Sequence, residues 1–274
     1  MPVAASVQVH PTAIVSAGAT LAEGVRVGPF AVIDGPVTVG PDCVIGPHVH
    51  LVGPLVIGKG NRVGTGTVIG TDPQHLAYRG QLTRTEVGDY NTFREHVTVH
   101  RGTLAGSATV IGNGNYLMQG SHVAHNCLVG NATILAGGAL LAGHVELADR
   151  ALVSGNCVVH QHVRIGRLAI LRGLSRTSRD VPPFCLMDGT HTVRGVNAVG
   201  LRRAGFDGTQ VAAIRRAVAR LFGRPTHLGR ALAAVEASPM TAEVRELVAF
   251  VRASKRGVCV APRDRGVRAP EASE

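Results

Sequence analysis

Six is the number that governs this chain. Aliphatic residues stand at Val15, Leu21, Val27, Ile33, Val39, Ile45, Leu51, Ile57, Val63 and Ile69. The same phase resumes at Val87, Phe93 and Val99, and again from Ile111 through Leu117, Val123, Val129, Leu135, Leu141, Leu147, Val153, Val159 and Ile165 to Leu171. A helix repeats every 3.6 residues and a strand every two, so neither gives this spacing. Six residues make one short flat strand and a turn, and three such units close a triangular coil of 18 residues. The expected fold is therefore an all-β left-handed parallel β-helix, a hexapeptide-repeat solenoid with the aliphatic residue inside the prism. The position two before it is small or aliphatic (Ala13, Ala19, Val25, Ala31, Val37, Cys43). Gly commonly follows it, at Gly28, Gly40, Gly46, Gly58, Gly70, Gly112, Gly130 and Gly166. A tight corner at that place is expected to need unusual dihedrals.

The repeat is interrupted twice, from Thr71 to Glu86 and around Leu104 to Ser107. Insertions in a solenoid become loops on one face, often the binding face. After Thr177 the repeat stops, and Asp180-Val181-Pro182-Pro183 marks an exit. Past residue 190 the pattern turns helical. Asp207 or Thr209 can cap a helix carrying Val211, Ile214, Val218, Leu221 and Phe222. Pro225 precedes a second helical segment, and Thr241 can open a third with Val244, Leu247, Val248 and Val251. The expected organisation is a β-helix over 1–190 with a loop insertion at 71–86, a small C-terminal α-helical domain over 191–258, and a disordered tail over 259–274.

Composition narrows the function classes. Aromatics are only 3%, there is no Trp, and Gly reaches 35, which fits a core of thin repeated layers. The net charge of +10 favours an acidic partner. No Lys/Arg run is interleaved with aromatics, so nucleic acid is not the expected partner. The cysteines Cys43, Cys127, Cys157, Cys185 and Cys259 are odd in number and form no CxxC pair. That argues against a disulfide framework or zinc knuckle and fits a reducing cytoplasm. The N-terminus MPVAASVQVH lacks the regions of a signal peptide, and no apolar stretch approaches the roughly 20 residues of a membrane span. A cytoplasmic protein without membrane insertion is expected.

Histidine is the informative residue for chemistry. His100, His122, His125, His144 and His160 lie in the repeat. Residues 18 apart stack on successive coils, so His125 lies beneath Gly143, Gly143 beneath Gln161, and Ala142 beneath His160. His122, His125, Gly143, His144, His160 and Gln161 then form one patch across three coils. Such a cluster suits acid–base work, because His titrates near neutral pH. The unshielded Gly143 amide can donate to a developing oxyanion. Cys127 shares the interior phase of Cys43 and is expected in the core. With no nucleophilic Ser or Cys beside His125, direct attack by a substrate hydroxyl fits better than a covalent intermediate.

These residues resemble a known family. VHPTAIV, the loop DPQHLAY, VTVHRGT, SHVAHNCLVGN, LAGHV, VVHQ, DVPPF, GVNAVGLRRAGF and SKRGV together span about residues 8 to 258. They resemble the acyl-[acyl-carrier-protein]–UDP-N-acetylglucosamine O-acyltransferases, which open lipid A biosynthesis. HRGT, HVAHNC and GLRRAGF are specific to that family. The resemblance implies a homotrimer with sites in clefts between neighbouring prisms. It implies transfer of an (R)-3-hydroxyacyl group from acyl carrier protein to the 3-hydroxyl of UDP-N-acetylglucosamine, with no metal or other cofactor. His125 matches the general base and Gly143 the oxyanion amide. His122, His144, His160 and Gln161 match positions around the sugar, phosphates and acyl chain, and His100 a position that holds the sugar. His191, Asn197 and Arg203 match nucleotide-side positions, and Gly173 the position that limits acyl length. An acidic carrier protein accounts for a basic helical domain.

Several positions depart from the family pattern. His75 and Ala77 stand where Asp and Lys are usual, at contacts to the sugar and diphosphate. Asn126 follows the base where Asp is frequent; its amide accepts a hydrogen bond but supplies no charge. Arg172 precedes Gly173. Three other readings compete. One is a paralogous acyltransferase for another nucleotide sugar such as the 3-amino analogue. Another is a zinc hydratase of the γ-carbonic anhydrase kind, and the third is a solenoid that only binds a partner.

Overall fold

The computed structural model describes residues 6–223 and 227–261. Short strands stack into three sheets of 11, 9 and 8 strands, which form the three faces of a prism. The first face begins with Gln8–Val9 and Arg26–Val27, the second with Ile14–Val15 and Val32–Asp34, and the third with Thr20–Leu21 and Val37–Val39. The repeating aliphatic residues point inward. Ile33, Val39, Leu51, Ile69, Leu117, Val123, Leu135, Leu141 and Val153 are all fully buried, and so are Cys43 and Cys127. Each such side chain contributes about 1.5–3 kcal/mol, so the prism is held layer by layer.

Register follows the coil. Tyr116 stands opposite Ile134, His122 opposite Leu140 and Leu128 opposite Glu146, each 18 residues on. The interruptions change the offset. Val68 pairs with Thr98 and Arg62 with Thr92, 30 apart. Thr98 pairs with His122 and Thr92 with Tyr116, 24 apart. Both insertions are whole multiples of the hexad, so the inward phase survives them. Both leave the prism at the same corner, between the second and third faces. The longer one departs with a register shift at Gly70, whose φ is +91°.

The corner glycines correct the sequence expectation. Gly28, Gly40, Gly46, Gly58, Gly112, Gly130 and Gly166 have ordinary φ; only Gly70 of that set is left-handed. In most turns the left-handed residue comes two positions later, and it is often not glycine: Phe30, Asp42, His48, Asn126, His144 and His162 have φ between +55° and +62°. The glycine is required instead by stacking. A Cβ on Gly40 would fall 2.6–2.9 Å from the backbone of Gly58 and Lys59 on the next coil.

The C-terminal part also differs from its pattern. The helical run expected past residue 190 starts only at Ala198. Cys185–Asp188 extends the first face beside Ile170–Leu171, and Thr192–Val196 folds back antiparallel on it. Val193 is buried against the prism end, which holds this hairpin in place. Four helices follow: α1 (Ala198–Arg203), α2 (Gly208–Phe222), α3 (Leu228–Glu236) and α4 (Ala242–Arg252). Asp207, not Thr209, caps α2, in a capping box with Gln210, and Thr241 caps α4. Arg167 grips Glu246 of α4 through Nε and Nη2, the latter at 2.6 Å. Arg164 lies over the Phe250 ring at 4.4 Å. Cys259 and Val260, expected in the tail, belong to the fold instead: Val258 and Val260 bridge to Asp180 and Thr192, and Cys259 is fully buried. Residues 262–274 lie outside the described residues.

Candidate active site

The corner that releases both insertions also carries the histidines. His125 is buried there, directly below Gly143: the His144 amide donates to the His125 carbonyl at 2.9 Å. The His162 amide donates to the Gly143 carbonyl one coil further on, at 3.0 Å. Register alone thus brings His125, Gly143 and Gln161 into one column, as the spacing predicts. Gly143 is constrained by its neighbour, since a Cβ there would fall 2.6 Å from Nε2 of His125. Its own N–H donates to no protein acceptor among the described residues.

The tautomer of His125 can be read from the donors around it. Asn126 Oδ1 lies 3.0 Å from His125 Nδ1. The same oxygen accepts from the Thr103 backbone N–H at 3.1 Å and from the Thr103 hydroxyl at 2.9 Å. A backbone N–H only donates, so the Asn126 atom at this point is oxygen. Nδ1 therefore carries the proton and Nε2 is left with a lone pair, on the Gly143 side. Burial pushes the His125 pKa below its ordinary 6.5; the Asn126 bond opposes this, and His75 and His162 add to it. The shift favours the neutral ring.

Five further histidines surround it. His75, in the longer loop, meets His125 edge-on at 5.3 Å between centroids. Asp72 pins that loop to Arg101 at 2.6 Å, and Arg101 also donates to the Gly53 carbonyl at 3.1 Å. The Ala77 amide donates to His75 Nδ1 at 3.3 Å. His144 approaches His125 edge-on at 5.2 Å and stacks on His162 at 4.5 Å. On the second face, His100 meets His122 at 4.8 Å, and the Thr98 hydroxyl lies 2.7 Å from His122 Nδ1. Burial, reinforced by His100 and His125, pushes the His122 pKa down to about 4. His100 and His144 are lowered too, mainly by burial. A groove of about 800 Å³ runs from Asn126, His144 and His162 to Lys255 and Arg256 at the end of the helical domain.

The remaining expected residues are spread out. His160 and Gln161 are exposed at the same corner, with His160 Nδ1 3.3 Å from Arg256. Gly173 sits one corner away, between the first and second faces, in the column of Gly155. His191 is held between the Thr177 and Ser178 hydroxyls, both at 3.3 Å. Asn197 is buried, and its amide caps α1 and donates to the Leu168 carbonyl at 2.8 Å. Arg203 is exposed at the end of α1. Within one chain Gly173, His191, Asn197 and Arg203 do not join the histidine cluster. Two members of the cluster escaped the sequence reading. His162 stands 18 residues after His144, so the coil rule was enough to find it. Thr103 sits in the shorter insertion, where no repeat signals it. Among the described residues, no three His, Cys, Asp or Glu are grouped to hold a metal ion.

Comparison with known proteins points one way. Residues 180–259 match the family described as Udp N-acetylglucosamine O-acyltransferase, Domain 2, and residues 36–71 match the bacterial transferase hexapeptide of six repeats. An acyl-[acyl-carrier-protein]–UDP-N-acetylglucosamine O-acyltransferase of Anaeromyxobacter sp. (strain Fw109-5) is 46% identical over 253 residues, 91% of this chain and 98% of the relative. One from Xanthomonas euvesicatoria pv. vesicatoria is 44% identical over 252 residues, 90% and 96% of the two. The UDP-N-acetylglucosamine acyltransferase of Francisella novicida superposes with a TM-score of 0.89 at 30% identity, covering 97% of this chain and 100% of that one. The relatives' shared name specifies an O-acyl product, which disfavours the amino-sugar and hydratase readings.

Proposed function

Because the chain belongs to the acyl-[acyl-carrier-protein]–UDP-N-acetylglucosamine O-acyltransferase family, we propose that His125 is the general base of that reaction here. The chain moves a 3-hydroxyacyl group from acyl carrier protein to the sugar 3-hydroxyl of UDP-N-acetylglucosamine, opening lipid A biosynthesis. The observation that carries the role of His125 is its fixed tautomer: Asn126 Oδ1 holds Nδ1–H, so Nε2 keeps its lone pair, next to Gly143, whose N–H donates to no acceptor among the described residues. Nε2 takes the proton of the sugar hydroxyl as its oxygen attacks the thioester carbonyl. The Gly143 N–H faces the oxyanion that forms. Collapse of that intermediate releases the carrier's thiol, and the proton on His125 goes to the leaving sulfur.

His75, His100, His122 and His144 line the sugar and acyl side around the base. His160 and Gln161, at the same corner one coil beyond His144, join them, while Gly173, His191, Asn197 and Arg203 act from a neighbouring subunit of a homotrimer, across the cleft between prisms. Leu140 and Val158 support that assembly: both are apolar and exposed, on the same face as His122. Lys255 and Arg256 at the groove suit an acidic carrier protein. Five buried free thiols suit the cytoplasm, and among the described residues no helix is long and apolar enough to cross a membrane.

The test is acyl transfer from 3-hydroxyacyl carrier proteins of varied length to UDP-N-acetylglucosamine, for wild type and His125→Ala. The variant should lose about 10²-fold or more, as a lost general base does. The wild-type rate should hold from neutral pH downward until it meets an acid limb below pH 6.5, since the pKa of His125 is lowered. A variant within a few-fold of wild type would remove His125 from the chemistry.

A further inference from the structure

An amide has two ends of opposite character, and the end that meets His125 decides whether the imidazole is a base. With oxygen toward Nδ1, the ring proton sits on Nδ1 and Nε2 is free. With the amide turned over, Nδ2 would donate to Nδ1, the ring proton would move to Nε2, and His125 could accept nothing from a substrate. A carboxylate in this place has no such ambiguity, because both its atoms accept. Asn126 therefore needs something to choose its orientation.

We propose that Thr103 is that element, a positioning residue that locks Asn126 with its oxygen toward the base. Thr103 presents two donors to one atom: its backbone N–H at 3.1 Å and its hydroxyl at 2.9 Å from Asn126 Oδ1. A flipped amide would set Nδ2 against the N–H, donor against donor. Asn126 itself is fixed in the left-handed region, φ +60°, with its backbone N–H donating to the Thr109 hydroxyl at 2.7 Å. Side-chain orientation is thus the one freedom left, and Thr103, itself buried, removes it. The groups that face His125 are His75 from the long loop, His144 and His162 from the following coils, and His100 and His122 from the second face. None is an acid, and Asp72 is occupied by Arg101. The shorter insertion that carries Thr103 thereby acquires a purpose: it takes over, by geometry, the orienting task that a charge would otherwise perform.

This inference rests on His125 being the base, and four variants compared with His125→Ala separate the two. Steady-state acyl transfer is followed from pH 5 to 9 for Thr103→Val, Thr103→Ser, Asn126→Asp and the Thr103→Val/Asn126→Asp double variant, with thermal unfolding of each. Thr103→Val should lower kcat about fivefold to tenfold, the weight of one neutral hydrogen bond, with both KM values unchanged, and Thr103→Ser should restore it. Asn126→Asp should move the acid limb of kcat/KM to higher pH, because a carboxylate stabilises the imidazolium. In that background Thr103→Val should cost less than about twofold, since two equivalent oxygens cannot be flipped. An equal loss from Thr103→Val in both backgrounds would overturn the clamp, as would a loss confined to thermal stability. Full activity in His125→Ala would instead overturn the base.

Discussion

At the scale of single residues, the centre of this site is defined by what is missing as much as by what is present. Gly143 lacks a side chain because the His125 ring fills the space one would occupy. Its φ is not left-handed, so alanine fits the backbone there. The harm of Gly143→Ala should therefore fall on the ring alone. We expect kcat to drop by about 10²-fold or more, as when a general base is displaced, while the melting temperature stays within a few degrees of wild type. A variant that unfolded without a specific loss of rate would show that the glycine serves the solenoid rather than the proposed base. At this scale the sequence was informative up to a point. The register of 18 put His125 under Gly143 without a structure, because parallel strands keep a fixed offset. It did not reveal that Thr103 orients Asn126, because the shorter insertion has no period from which a contact can be computed.

At the scale of the element, the unit is the corner. One corner sends out both insertions and carries the histidines. Another, between the third and first faces, is closed by a ladder of buried amides. Asn61 Oδ1 accepts from the Asn91 backbone at 2.9 Å, Asn91 Oδ1 from the Asn115 backbone at 2.9 Å, and Asn115 Oδ1 from the Thr133 backbone at 2.7 Å. All four residues are at most 1% exposed. Asn91→Ala would leave the Asn115 N–H buried without an acceptor and open a cavity beside it. The cost should be about 2–3 kcal/mol in urea unfolding, the penalty of an orphaned buried donor plus lost packing. Turnover at saturation should be untouched, and a change in kcat would mean that the ladder communicates with the histidine corner. Corners were also the least legible feature of the sequence. Glycine after the aliphatic residue looked like a dihedral requirement, whereas the left-handed residue comes two later and can be Phe, His or Leu. A composition signal reports that a side chain is excluded; it does not say whether torsion or a neighbouring coil excludes it. The same limit hid the Cys185–Val196 hairpin and six-residue α1, both too short for a period to declare them.

At the scale of the whole molecule, a single prism leaves the reading unfinished. His125 lies at one corner, while Gly173 is at another and His191, Asn197 and Arg203 lie beyond the last coil. A second prism must bring these groups together if they serve one substrate. The surface that would receive it is recognisable by its chemistry. On the second face, Leu140 stands opposite both His122 and Val158 and is 40% exposed, and Val158 is 48% exposed. Two adjacent apolar residues bordering a histidine site form a patch that water tolerates poorly and a partner would cover. Leu140→Glu tests this without touching His125. In water a glutamate on a strand surface costs little, so the isolated prism should fold as before. Buried in an interface, the same charge would be desolvated without a partner, at a cost of several kcal/mol. Sedimentation should then show a smaller species than wild type, and acyl transfer should fall at least tenfold at concentrations where the wild type is assembled. Raising the protein concentration should recover both together, by mass action. If the variant dissociates yet retains its rate, the site is complete within one chain, and Gly173, His191, Asn197 and Arg203 have no part in it.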